Sequence, residues 1–104
     1  MKKDLQKIIE QYFEVPEKVR GQIKNIIEEV GGGYVLIETR PPWNGSNKEW
    51  SRLPIAKIIF HKPTRTWKLY WQRASGKWEL YAFYKSFNAV LRSIKEDKHG
   101  CFWG

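Results

Sequence analysis

"IAKIIFHKPTRTWKLYWQRASGKWELYAFY" runs from Ile55 to Tyr84, and its reading decides the fold. Apolar and polar residues alternate along it with a period of two, the pattern of half-buried strands. Two turn signals divide it, "KPTR" around Pro63 and "ASGK" around Ser75 and Gly76. Three strands therefore follow one another as antiparallel hairpins. The Pro63-Thr64 turn sets Ala56 opposite Trp71 and Ile58 opposite Leu69. A turn centred on Ser75-Gly76 sets Leu69 opposite Ala82 and Trp71 opposite Leu80. A slip of one residue would exchange the faces. One face then carries Ala56, Ile58, Phe60, Trp67, Leu69, Trp71, Trp78, Leu80 and Ala82, and is expected to be the core, covered by helices. The other carries Lys57, Ile59, His61, Lys68, Tyr70, Gln72, Glu79, Tyr81 and Phe83, with Lys57, Tyr70 and Tyr81 in line across three strands.

Upstream, "YVLIETR" (34–40) continues the period of two, with Val35, Ile37 and Thr39 on one face. It makes the sheet a four-stranded antiparallel meander. "PPWNGSNKEWSRLP" (41–54) is rich in turn formers and predicts a long loop. Further upstream the spacing turns helical. Leu5, Ile8, Ile9, Tyr12 and Phe13 form one stripe. A second helix is expected from Pro16, carrying Val19, Ile23, Ile26, Ile27 and Val30, with "GGG" (31–33) as its cap. Downstream, Ser86 caps a last helix bearing Phe87, Val90, Leu91 and Ile94, and Gly100 stops it. The expectation is an α+β fold in one domain over residues 1–104. It comprises a helical segment (1–31), an antiparallel sheet (34–84), and a C-terminal helix with a tail (86–104).

The chain has 104 residues, enough to bury about two-thirds of its unfolded surface. Aromatic residues make up 15% of it, which excludes a disordered composition. No apolar stretch approaches a membrane span, and "MKKDLQKIIE" has no apolar core of a secretory signal. Cys101 is the only cysteine, so no internal disulfide is possible and a cytoplasmic location is expected. The formal net charge is +8. Residues 1–31 balance six basic against six acidic side chains, whereas residues 32–85 hold ten basic and three acidic ones. A localised basic region is the electrostatic footprint of polyanion binding. Solubility charge is the plainer account of the same excess.

Three segments carry a family resemblance: "ETRPPW" (38–43), "IAKIIF…WKLYWQRASGKWELY" (55–81) and "DKHGCFWG" (97–104). Together they resemble the small bacterial family catalogued as domain of unknown function 3024. The resemblance spans about residues 34–104 and implies a fold without a mechanism. Glu79-Leu80 follows Trp78 where the family pattern leads one to expect a histidine. The resemblance also implies that the tail belongs to the fold, so Phe102 or Trp103 is expected to be buried.

No reaction class is indicated. His99 and Cys101 stand two residues apart in a tail, which fixes no catalytic geometry. His61, His99 and Cys101 lack metal-ligand spacing, and "GGGY" lacks the lysine of a phosphate-binding loop. No metal and no cofactor is therefore expected. A non-enzymatic module that binds nucleic acid or another polyanion is the first functional expectation. Its surface would combine Lys57, Lys68, Tyr70 and Tyr81 on the open sheet face, where rings stack on bases and lysines meet phosphates. Arg40, Trp43, Lys48, Trp50 and Arg52 of the adjoining loop would extend it. The second is a protein–protein adaptor anchored on Trp43 and Trp50, since tryptophan and arginine are favoured anchors. Both tryptophans could instead fold back over the sheet edge, and an open face with tyrosines is also an ordinary feature of antiparallel sheets.

Overall fold

The computed structural model describes residues 2–13, 24–42 and 50–103. An N-terminal helix α1 (Lys2–Tyr12) precedes five strands: β1 (Lys24–Val30), β2 (Gly33–Arg40), β3 (Ser51–His61), β4 (Thr66–Gln72) and β5 (Trp78–Tyr84). A second helix, α2 (Phe87–Glu96), completes the order. The strands form one antiparallel meander in the order β1-β2-β3-β4-β5. Both helices contribute to a core on one face of this sheet. Ile9 and Phe13 on the α1 side and Val90, Leu91 and Ile94 of α2 meet Leu36, Ala56, Ile58 and Leu69. This is a two-layer α+β arrangement.

The expected second helix is corrected. Its residues 24–30 form β1, while residues 14–23 lie outside the described residues. Ile26, Ile27 and Val30 satisfy helical spacing, but β-branched side chains pack well on a pleated surface. The deciding element is the glycine run. Val30 pairs with Gly33, so Gly31 and Gly32 form a two-residue hairpin turn rather than a helix cap. Gly32 takes a positive φ of 84°, which glycine adopts without a Cβ penalty. Gly33 is required for a different reason. A Cβ there would lie 1.8 Å from the carbonyl oxygen of Ile58 on β3.

Among the described residues the sheet thus has five strands instead of four, and β3 begins at Ser51 rather than Ile55. Pro54 sits inside β3 yet breaks no ladder unduly, because it falls at a register shift. Leu36 pairs with Ala56 and Ile37 with Pro54, leaving Ile55 as the extra residue. Proline, which has no N–H to give, is confined in sheets to edges and to such bulges. Ile55 joins the core.

The C-terminal helix starts as expected, with the Ser86 hydroxyl accepting from the Ala89 N–H at 3.1 Å. It ends at Asp97, earlier than Gly100. Asp97 adopts a left-handed conformation (φ 45°) and donates its N–H to the Ser93 carbonyl. Its carboxylate then folds the tail back, accepting from the N–H of Phe102 (3.0 Å) and of Trp103 (2.8 Å). Phe102 is 5% exposed and lies in the core, whereas Trp103 is 36% exposed. The Trp103 indole N–H donates to the Ile94 carbonyl at 3.0 Å, and its ring centre is 6.0 Å from that of Phe13. The tail is therefore part of the fold.

These packing details set two expectations for stability. Gly33→Ala should destabilise by about 1–3 kcal/mol or more, the range for forced overpacking, because the obstacle is backbone. Gly31→Ala, with nothing within 4 Å, should leave the thermal midpoint nearly unchanged. In the tail, Phe102→Ala should cost about 3–5 kcal/mol, the range for a buried aromatic truncation, and Trp103→Ala distinctly less. Chemical denaturation of the four variants checks both contrasts.

Candidate nucleic-acid interface

The sheet face away from the helices is built from β3, β4 and β5. The β3–β4 register is as expected, with Ala56 opposite Trp71, Lys57 opposite Tyr70 and Ile58 opposite Leu69. The β4–β5 register is as expected only at one end, where Leu69 pairs with Ala82. The ladder then shifts. Tyr70 pairs with Leu80, Trp71 with Glu79 and Gln72 with Trp78, so Tyr81 is the extra residue of a β-bulge. Because side chains alternate between faces, every β5 residue before the bulge changes side relative to the simple pairing.

Three expectations are corrected accordingly. Trp71 faces Glu79 and not Leu80. Trp78 and Leu80 lie on the open face rather than in the core. Tyr81 lies on the covered side, where it packs against the core and its ring meets Phe102 at 5.1 Å and His99 at 6.0 Å. The sequence hid this shift because Leu80, Tyr81, Ala82, Phe83 and Tyr84 are all apolar, so neither pairing violates an alternation.

The open face is now a grid of cross-strand rows. His61 and Thr66 form one, and Ile59, Lys68 and Phe83 the next. Lys57, Tyr70 and Leu80 form the third, and Gln72 and Trp78 the fourth. Cations sit among rings. The Lys57 ammonium is 5.6 Å from the Tyr70 ring centre and 5.8 Å from that of Trp78. The Lys68 ammonium is 5.8 Å from the Phe83 ring centre. Such cation–π contacts hold a lysine over a ring by about 0.5–1 kcal/mol at exposed sites. Residues 51–85 contain a single carboxylate, Glu79. The bulge places it on the side of Trp71, with Arg73 3.8 Å away. Within β3–β5 the open face thus carries Lys57 and Lys68 without an acidic neighbour. Trp78 and Leu80 are the residues of this surface that sequence reasoning missed.

The loop candidates are less concentrated. Arg40 pairs with Glu38 at 3.0 Å. Arg52 forms an ion pair with Glu28 that reaches from β3 over β2 to β1. Arg52 lies opposite Thr39 and Glu28 opposite Val35, so this bridge crosses β2 at the level of Ile37. Val35, Ile37 and Thr39 are buried even though they belong to the face opposite the helices. Trp50 is 39% exposed at the start of β3. Trp43 and Lys48 lie outside the described residues.

At the β3–β4 hairpin end, His61, Thr64, Thr66, Lys68 and Phe83 line a shallow cleft of about 390 Å³. The Thr64 hydroxyl lies 2.8 Å from His61 Nδ1 and 2.6 Å from the Thr66 hydroxyl. Cys101 turns its sulfur toward the backbone carbonyl of His99 and not toward an imidazole. Among the described residues, no three of His, Cys, Asp and Glu gather as metal ligands, and no helix is long and apolar enough to cross a membrane.

A family model described as "Domain of unknown function (DUF3024)" matches residues 1–104, the whole chain. No curated protein and no solved structure matches.

The corrected position of Tyr81 has a measurable signature. Burial, followed by the nearby Tyr84, Cys101 and Asp97, raises its hydroxyl above the ordinary 10.0. A group whose folded value is raised contributes stability that is complete below its unfolded value and is lost as pH climbs through the folded one. The protein should therefore lose stability above pH 10, and Tyr81→Phe should lessen that loss. Tyr34 is raised by burial and by Glu29 in the same sense, so part of the alkaline slope remains in the variant. Urea midpoints measured from pH 8 upward check this.

Proposed function

The chain belongs to the DUF3024 family, whose description assigns no activity, and we propose that it is a non-enzymatic binding module for single-stranded nucleic acid or a similar polyanion. The observation that carries this is the open face of β3–β5. It interleaves Lys57 and Lys68 with Tyr70, Trp78 and Phe83, and its strands' only carboxylate lies on the other side. Phosphates meet the ammonium groups, which release condensed counterions. Bases stack on the exposed Phe83 ring and on the half-buried rings of Tyr70 and Trp78, since every base has a π-face. The formal charge of +8 favours encounter with any polyanion. Arg40 and Arg52 are each paired with a glutamate, so less of their charge is offered to a polyanion.

An adaptor role is the second reading, favoured by the exposure of both Trp50 and Leu53 at the start of β3. An interface anchored on an aromatic side chain would hold its affinity as salt rises and would lose it on Trp50→Ala.

Titration of a ten-residue single-stranded oligonucleotide at two salt concentrations tests the first reading. Lys57→Ala and Lys68→Ala should weaken binding for all sequences alike and lower the salt slope by roughly 0.7–1 for each phosphate no longer neutralised. Tyr70→Ala and Trp78→Ala should each cost about 1–3 kcal/mol with little change in slope. Tyr81→Phe, on the covered side, should bind as the parent does. Absence of binding by the parent protein at low salt would overturn the proposal.

A further inference from the structure

We propose that the cleft at the β3–β4 hairpin end is a site for a nucleoside phosphomonoester, supplied either as the phosphorylated end of a single strand or as a free nucleotide. For the strand source this rests on the polyanion reading above and names what one end of that surface recognises.

The cleft places two kinds of chemistry side by side. Phe83, 54% exposed, offers a ring face to solvent on the open face. Its cross-strand neighbour Lys68 holds an ammonium 5.8 Å from the ring centre. One row along the sheet, about 6.8 Å away by the rise of two strand residues, His61 and Thr66 face each other. A nucleotide separates its base from its phosphate by a distance of that order. The base can therefore lie on Phe83 while the phosphate reaches the histidine and threonine row.

That row is equipped with donors. His61, Thr64 and Thr66 are hydrogen-bonded in sequence, imidazole to hydroxyl to hydroxyl. Such a chain leaves an imidazole nitrogen and hydroxyl groups able to turn toward an anion. The hairpin turn adds Lys62 and Arg65, and no acidic residue occurs between Ser51 and Trp78. A phosphomonoester carries roughly −1.5 to −2 charges near neutrality, more than one diester link, so a cluster of cations favours a chain end over its interior. Charged acceptors also make the stronger hydrogen bonds.

The experiment compares a ten-residue oligothymidylate with a 5′-phosphate, with a 3′-phosphate and with neither. Thymidine monophosphate, thymidine and inorganic phosphate are titrated in parallel. One phosphorylated form should bind about ten- to a hundredfold more tightly than the unphosphorylated strand, the factor expected of a charge-assisted contact. His61→Gln and Thr66→Val should abolish that preference while leaving the unphosphorylated strand bound as before, with thermal melts confirming the fold. Thymidine monophosphate bound as tightly as the phosphorylated strand, and lost in His61→Gln, would mark the free nucleotide as the source. The same result with no strand bound would support the cleft and overturn the wider face. Equal binding of phosphorylated and unphosphorylated strands would overturn the cleft and leave the wider face standing. Inorganic phosphate binding as tightly as thymidine monophosphate would overturn the part given to Phe83. No binding of any of these ligands would overturn both proposals.

Discussion

The bulge at Tyr81 governs what each face of the sheet carries. One additional residue in β5 opposite β4 turns Trp78 and Leu80 outward and Glu79 inward, and it lays Tyr81 against the core. In the uninterrupted pairing that a two-residue turn at Ser75-Gly76 would give, Tyr81 would stand opposite Tyr70 on the open face and Glu79 opposite Gln72. Phe102 would also lose the ring it packs on at 5.1 Å. The same irregularity thus accompanies the packing of Tyr81 beneath the tail and leaves the β3–β5 part of the open face without a carboxylate, while Glu28 of β1 remains on that face in its pair with Arg52. Tyr84, just past the bulge, bonds the Ser93 hydroxyl at 2.6 Å and fastens β5 to α2, so the shift is held at its far end.

The tail shows how much one carboxylate can organise. Asp97 closes α2 with its own N–H and then accepts from the two backbone donors of Phe102 and Trp103. A helix end leaves its last carbonyls without intrahelical partners. Here Ser93 receives the Asp97 N–H and Ile94 receives the Trp103 indole, so two of those carbonyls are satisfied by the tail itself. Lys95, near the same end, lies 5.0 Å from the Tyr12 ring centre and joins α2 to α1.

Where the sequence was legible, one local signal sufficed. The hairpin turn at Pro63, the alternation of β3 and β4, and the Ser86 cap are short-range features, and the structure has them; the β4–β5 turn is also where expected, but Arg73 pairs with Lys77, so it has three residues instead of the two centred on Ser75-Gly76. Over residues 24–30 the expected helix misled because Ile26, Ile27 and Val30 fit both periods, and the pairing of Val30 with Gly33 decides between them. That pairing depends on Gly33 lying against the backbone of Ile58, a long-range approach with no local signature. Glu79 and Tyr81 were misplaced for a related cause. Five successive apolar residues in β5 accept either register, and the start of β5 is set by the turn, where the Arg73 N–H donates to the Lys77 carbonyl at 2.8 Å and closes a loop of three residues. The open lysine and tyrosine pair, Lys57 and Tyr70, was legible because β3 and β4 have no shift between them.

β5 is also an edge of the sheet, and "WELYAFY" is by composition a segment prone to self-association: aromatic, high in strand propensity and free of proline. Unpaired backbone groups on such an edge are a template for another chain to join. A bulge bends its strand and increases the local twist, so it mis-spaces the outer row of donors and acceptors for a straight incoming strand. The residue that arranges the two faces therefore also protects the border between them, and a deletion that straightened β5 would expose this chain to fibre-like stacking as well as to the loss of its surface.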